Sequence, residues 1–151
     1  MKIEILAIGR LRKGPAYDLA ADYQGRIQWP VSVRELESKH SDSKLAQKDE
    51  QQKLLEAFSP GAYVIALDER GKSLPSPELA QKIEDLRLHS TSLVQFVIGG
   101  ATGLGPDIRK RADFLLSFGA MTWPHMLARV MLLEQIYRCQ QIINRHPYHK
   151  E

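Results

Sequence analysis

The chain has 151 residues, 43% of them hydrophobic and 26% charged, with a net charge of +3. That length suits one domain, which buries about 70% of its unfolded surface and so needs neither metal nor disulfide to fold. The single cysteine, Cys139, excludes an intrachain disulfide and a cysteine-based zinc site. The longest wholly apolar run, residues 62–67, is far shorter than the roughly 20 residues of a membrane span. In residues 1–13 Glu4 interrupts the apolar stretch and the basic cluster follows it, the wrong order for a signal peptide. A cytoplasmic protein without a membrane partner is expected.

Residues 2–9 form an apolar run ended by Gly9 and predict a strand. Pro15 suits the first turn of a helix to about Gln24. Residues 31–37 alternate loosely and predict an edge strand. A polar loop over 38–43 follows, with Ser43 as cap of a helix over 44–58 whose apolar side carries Leu45, Leu54, Leu55 and Phe58. The Ser59-Pro60-Gly61 turn ends it. Residues 62–67 are continuously apolar, as in a strand buried on both faces of a parallel sheet. Ser76 as cap and Pro77 as first-turn residue open a helix to about His89. Residues 93–98 predict a fourth strand, Pro106 a short basic helix, 114–118 a fifth strand and 125–144 a long helix. Strands alternating with helices predict a single α/β domain, residues 1–151, on a largely parallel sheet.

Ligands of such sheets bind beyond the C-terminal ends of the strands. Three segments fall there: 67–71, the glycine-rich 98–105, and 117–125. Glycine in the second means positive φ or a close approach of backbone or ligand. Its spacing is not G-x-G-x-x-G, it follows the fourth strand, and no Walker lysine is present. The charge surplus lies in residues 105–151, with seven basic and four acidic side chains, leaving fourteen of each in 1–104. In the long helix, apolar residues from Val130 to Ile143 spread over half the circumference, with Arg129 and Gln140 among them. So wide an apolar face predicts a second subunit packed against it, and Arg129 there requires a partner or an exit to solvent. The closing residues 145–151 combine cations, Tyr148 and the imidazoles of His146 and His149. These groups suit phosphate contact, base stacking and proton transfer. The two histidines lack a third ligand at helical spacing, so no metal is expected.

The glycine loop 99–104, the run Thr122-Trp123-Pro124-His125, and a long helix carrying Tyr137-Arg138 before His146-Pro147-Tyr148-His149 together resemble the ribosomal RNA large subunit methyltransferase H family. The resemblance covers the whole chain, including the opening strand. It implies a small SPOUT-class fold with a C-terminal trefoil knot, S-adenosylmethionine (SAM) as cofactor, and a homodimer. It implies methylation of N3 of a pseudouridine in 23S rRNA of the large subunit. On the same basis Leu67, Gly100, Ala120, Met121, Thr122, Trp123, Pro124 and His125 are expected at the cofactor. Arg138, His146, Tyr148 and Lys150 are expected at the RNA, and His149, Arg138 and Tyr148 in catalysis. His149 is then the candidate proton acceptor and Arg138 the electrostatic stabiliser. Thr102, Trp123, Met126 and Lys150 depart from the usual residues of that family.

Two other classes are compatible with the composition. One is a nucleotide-binding oxidoreductase on an open Rossmann sheet, which would take NAD. The other is a non-catalytic ribosome- or RNA-binding module using the basic tail, which would not respond to SAM.

Overall fold

The computed structural model describes residues 1–150. Five strands, β1 (Lys2–Ile8), β2 (Val31–Leu36), β3 (Tyr63–Ser73), β4 (Leu93–Ile98) and β5 (Phe114–Ser117), form one sheet in the order β2-β1-β4-β3-β5. Every pairing is parallel. The helices are α1 (Pro15–Arg26), α2 (Ser43–Ala57), α3 (Ser76–Leu88), α4 (Pro106–Arg111) and α5 (His125–Ile143). The α/β class and the parallel sheet are as the sequence predicts.

Strand alternation divides the core into two layers. Ile3, Ile5 and Ala7 of β1 join Phe96, Ile83, Leu132, Leu133 and Ile136 under α1, α3 and α5. Leu6 and Ile8 turn to the other face, where they meet Leu54, Val97, Leu104 and Ile108 under α2 and α4. β2 is the edge strand expected, and its side chains are only partly covered.

Several boundaries differ from the expectation. Asp42, not Ser43, caps α2: its carboxylate accepts from the amides of Lys44 and Leu45, both at 3.0 Å. Leu45 is exposed rather than on the apolar side. Ser76 is the first helical residue of α3 and donates its hydroxyl to Gln135 of α5 at 2.7 Å. β3 runs six residues beyond Leu67. Its register against β5 jumps between Leu67 and Lys72, so residues 68–71 bulge out of the ladder. That extension is polar and so has no buried-strand pattern to betray it.

The largest departure concerns α5. Leu132, Leu133, Ile136 and Cys139 are buried within a single chain, beneath α1 and α3 and against the sheet. The wide apolar face therefore does not require a second subunit, and a charge at Ile136 would break the core of one chain. Arg129 is 4% exposed and does not reach solvent. Its guanidinium donates to Glu35 at 2.6 Å and to the Gly9 carbonyl at 3.1 Å.

Candidate functional site

All five strands point the same way, so their C-terminal ends lie together. A cleft of about 870 Å³ opens there, within the size range of small-ligand sites. It is built from the bulged half of β3 and from the segments that follow β4 and β5. Leu67 to Arg70 come from the β3 bulge, Ile98 to Leu104 from the glycine loop, and Phe118 to His125 from the loop into α5.

The bulge is fixed by packing. A Cβ on Gly71 would lie 2.5 Å from the Leu115 carbonyl oxygen, so only glycine lets β3 rejoin β5 there. The Asp68 carboxylate accepts from the Arg70 amide at 2.8 Å and lies 3.9 Å from Arg109. Arg109 in turn donates to the Leu104 carbonyl, which ties the bulge to the glycine loop.

The glycine loop folds on itself, with Gly103 at φ +75° and a bridge between Gly100 and Gly103. A Cβ on Gly99 would meet the Gly103 carbonyl carbon at 2.9 Å, and one on Gly100 would meet Ile8 Cγ2 at 2.9 Å. These glycines thus answer to the loop's own backbone and to β1. From α2, Gln51 accepts the Gly105 amide at 2.9 Å and clamps the end of the loop.

The third segment is held by Trp123, whose indole N–H donates to the Phe118 carbonyl at 3.3 Å. His125, at the first turn of α5, lies against Gly9, whose φ is +92°. One turn later Arg129 fastens α5 to β2 and to the end of β1. Burial acts to raise the Glu35 pKa. The hydrogen bonds from Arg129 and the Leu11 amide, with the charges of Arg129 and Arg10, outweigh burial and hold it below the ordinary carboxylate value.

Of the expected cofactor residues, Leu67, Gly100, Met121, Thr122, Trp123, Pro124 and His125 line the cleft. Ala120 is exposed in the same loop and does not line it. The segment 67–71, expected at a strand end, also brings Asp68, Glu69 and Arg70 to the cleft, although only its Leu67 was expected at the cofactor; Gln47 and Arg109, which lie outside the three strand-end segments, were missed. The cleft combines apolar walls (Leu67, Ile98, Leu116, Pro124) with carboxylates (Asp68, Glu69) and guanidiniums (Arg70, Arg109). That set suits a small ligand with an apolar portion and both cationic and anionic groups.

The expected tail residues lie elsewhere. α5 starts beside Gly9 and ends beside the connection into β2, where Gln140 accepts the amides of Gln28 and Trp29 at 2.7 and 3.3 Å. Thirteen residues of helix put Arg138 about 20 Å along the axis from His125. The tail folds back on this far end. The Glu134 carboxylate accepts from Arg138 Nε and Nη2 at 2.9 and 2.6 Å and from the Tyr148 hydroxyl at 3.0 Å. Arg138 also donates to His149 Nδ1 at 3.2 Å. A guanidinium cannot accept, so Nδ1 carries the lone pair and the ring proton sits on Nε2. The Tyr148 ring stands edge-on to Tyr137 at 4.8 Å and lies under the Arg138 guanidinium at 4.8 Å. It is therefore engaged within the chain and is no free stacking platform.

Burial, then hydrogen bonding with Tyr23 and Glu134, raises the Tyr148 pKa, so the phenol stays protonated. The hydrogen bond with Glu134 chiefly raises the Arg138 pKa, against burial. His146 and Lys150 are exposed. Among the described residues no group of three histidine, cysteine or acidic side chains is placed to hold a metal, and no helix is long and apolar enough to cross a membrane.

A parallel sheet whose last three strand-end segments form one cleft defines the class, and comparison with known proteins agrees. Residues 1–149 match the family model described as predicted SPOUT methyltransferase, and the chain belongs to that family. It is 48% identical over 151 residues to a ribosomal RNA large subunit methyltransferase H of Rhodospirillum centenum, covering 99% of either chain. In fold it is similar to a probable methylase family protein of Haemophilus influenzae, with TM-score 0.63, 14% identity, and coverage of 99% of this chain and 70% of the other. It is also similar to a Legionella pneumophila protein solved with bound cofactor SAM, with TM-score 0.50, 11% identity, and coverage of 91% and 66%.

Proposed function

We propose that the chain transfers a methyl group from SAM to N3 of a pseudouridine in 23S rRNA, in the cytoplasm, as a homodimer whose two sites each draw on both chains. The whole chain acts as one methyltransferase domain, and the C-terminal trefoil knot is part of the same proposal. The observation that carries the reading is the separation within one chain. The cleft lies at the C-terminal ends of the strands, while Arg138, Tyr148 and His149 lie about 20 Å away at the opposite end of α5. A second copy running antiparallel brings its tail to the first copy's cleft. Exposed Met121, Trp123, Met126 and Leu127, at the cleft rim and the first turn of α5, offer apolar surface for that contact.

SAM supplies an electrophilic methyl group on a sulfonium. Leu67, Ile98, Leu116 and Pro124 would hold its purine, and Asp68 and Glu69 would face its cationic groups. The target nitrogen is an imide and must lose its proton before it is nucleophilic. His149 is assigned to take that proton, and because its Nδ1 lone pair faces Arg138, the Arg138 contact must open first. Released, Arg138 is a cation for the flanking carbonyl oxygens, where the imide charge resides. Glu134 keeps Arg138 charged and oriented throughout. His146 and Lys150 complete the RNA contacts from the exposed side of the tail.

The NAD-dependent alternative has no support in the cleft, since the strand-end glycines lack the pyrophosphate spacing. The non-catalytic alternative is separated by experiment. A variant lacking residues 145–151 should bind SAM and remain folded but not methylate large subunits. A Gly71→Val variant should lose the cleft and keep the tail. Mixing the two inactive variants should restore activity through dimers with one intact composite site. Failure of the mixture, when both variants are folded and dimeric, would refute the shared site. Mass spectrometry of rRNA from a deletion strain, showing one methyl fewer on a pseudouridine, checks the reaction itself.

A further inference from the structure

The four connections that lead into strands, residues 27–30, 58–62, 89–92 and 112–113, contain no lysine or arginine. Of those that leave strands, the first, residues 9–14, holds Arg10, Arg12 and Lys13. Because the sheet is wholly parallel, this connection lies at the same end as the cleft.

Its backbone is pinned. The Gly9 amide donates to the Leu36 carbonyl at 2.9 Å, the Gly9 carbonyl accepts from Arg129 at 3.1 Å, and the Leu11 amide donates to Glu35 at 2.6 Å. The Leu11 side chain is buried, while Arg10, Arg12 and Lys13 are exposed. Among the described residues none of the three forms an ion pair. Arg10 borders a shallow depression with Glu4, Arg34, Glu35 and Glu37 and is the most compensated. Arg12 and Lys13 do not line that depression. Adjacent unpaired cations on a fixed loop do nothing for the fold, since like charges held together repel. They fit a polyanion.

We infer that the β1–α1 connection, through Arg12 and Lys13, contacts the phosphate backbone of the RNA substrate beside the cleft. The inference rests on the proposed RNA methylation and adds a contact surface independent of the C-terminal tail. These contacts position the RNA without reading its sequence.

The test measures binding of a fluorescently labelled RNA hairpin by anisotropy across a salt series. It compares the full-length protein with the double variant Arg12→Gln/Lys13→Gln. Each phosphate contact contributes about 0.7–0.9 to the slope of log K against log salt. The double variant should lower that slope by about 1.4–1.8 and leave SAM affinity, oligomeric state and melting temperature unchanged. The charge-conserving Arg12→Lys/Lys13→Arg variant should restore the slope, which a merely structural role would not require. Arg87→Gln, in the last turn of α3 at the opposite end of the sheet, should leave the slope as it was. If the full-length protein binds and methylates RNA but the double variant has the same slope, this inference is overturned and the proposed function stands. If the full-length protein binds SAM but neither binds nor methylates RNA, both fall together.

Discussion

Replacing Glu35 by glutamine tests how the N-terminal end of α5 is held over the cleft. The Arg129 side chain is 5% exposed and that of Glu35 is 34% exposed, with 2.6 Å between them. Removing one partner of a fully buried pair costs about 3–5 kcal/mol, and of an exposed pair about 0–1 kcal/mol. With one partner buried and the other one-third open to water, Glu35→Gln should cost about 2–3 kcal/mol. For a domain of this size that lowers the melting temperature by about 4–12 °C. Glutamine still accepts the Leu11 amide, so the loss reports the charge rather than the hydrogen bond. The pH dependence has a definite sign. The folded Glu35 pKa lies below the ordinary value, so its contribution is full above that value and is lost as pH falls through the folded pKa. Between pH 5 and pH 3 the wild-type chain should therefore lose more melting temperature than the variant. Differential scanning calorimetry measures both effects. In a double-mutant cycle, Arg129→Met combined with Glu35→Gln should cost less than the sum of the two. A single-variant loss under 1 °C, or strict additivity, would refute this account of the buried pair.

Ile136→Asp should unfold the chain, and Ile136→Ala should cost about 2–5 kcal/mol at any protein concentration, because Ile136 is 0% exposed within one chain; a melting temperature that falls only on dilution would return it to a subunit interface. Gly71→Ala should abolish SAM binding by calorimetry, since its Cβ meets the Leu115 carbonyl oxygen at 2.5 Å. Gly103→Ala, in open space at φ +75°, should cost only about 1–2 kcal/mol and leave the cleft formed. Burial pushes the Cys139 thiol up to about 12, so the native protein should not react with a thiol reagent at pH 8 until it is denatured.

Strand and helix order was legible because it rests on local patterns. The unbroken apolar run at 62–67 and the run at 93–98, interrupted only by Gln95, marked buried strands, and proline at the head of α1 and α4 marked their first turns. The polar half of β3 was not legible, since its ladder with β5 depends on Gly71 meeting a backbone 44 residues away. Most of the cleft could be located in advance, because a parallel sheet sends its ligand to the strand ends and the glycine loop lies on one of them. Arg109 and Gln47 were not legible there, because they reach the cleft from α4 and α2 rather than from a strand end.

The sequence by itself determined the element order, the parallel sheet and the family, through short-range apolar periodicity and motifs that need no knowledge of what packs where. Only the tertiary structure decided which groups share an end of the molecule. Arg129 finds Glu35 across 94 residues, and no local pattern encodes that pairing. Arg10, Arg12 and Lys13 are neighbours in the sequence, but only the parallel sheet, which gathers every strand exit on one side, puts them at the cleft end. The same geometry carries α5 away from the cleft, so the cleft loops and the tail, only twenty residues apart in sequence, stand at opposite ends of one chain.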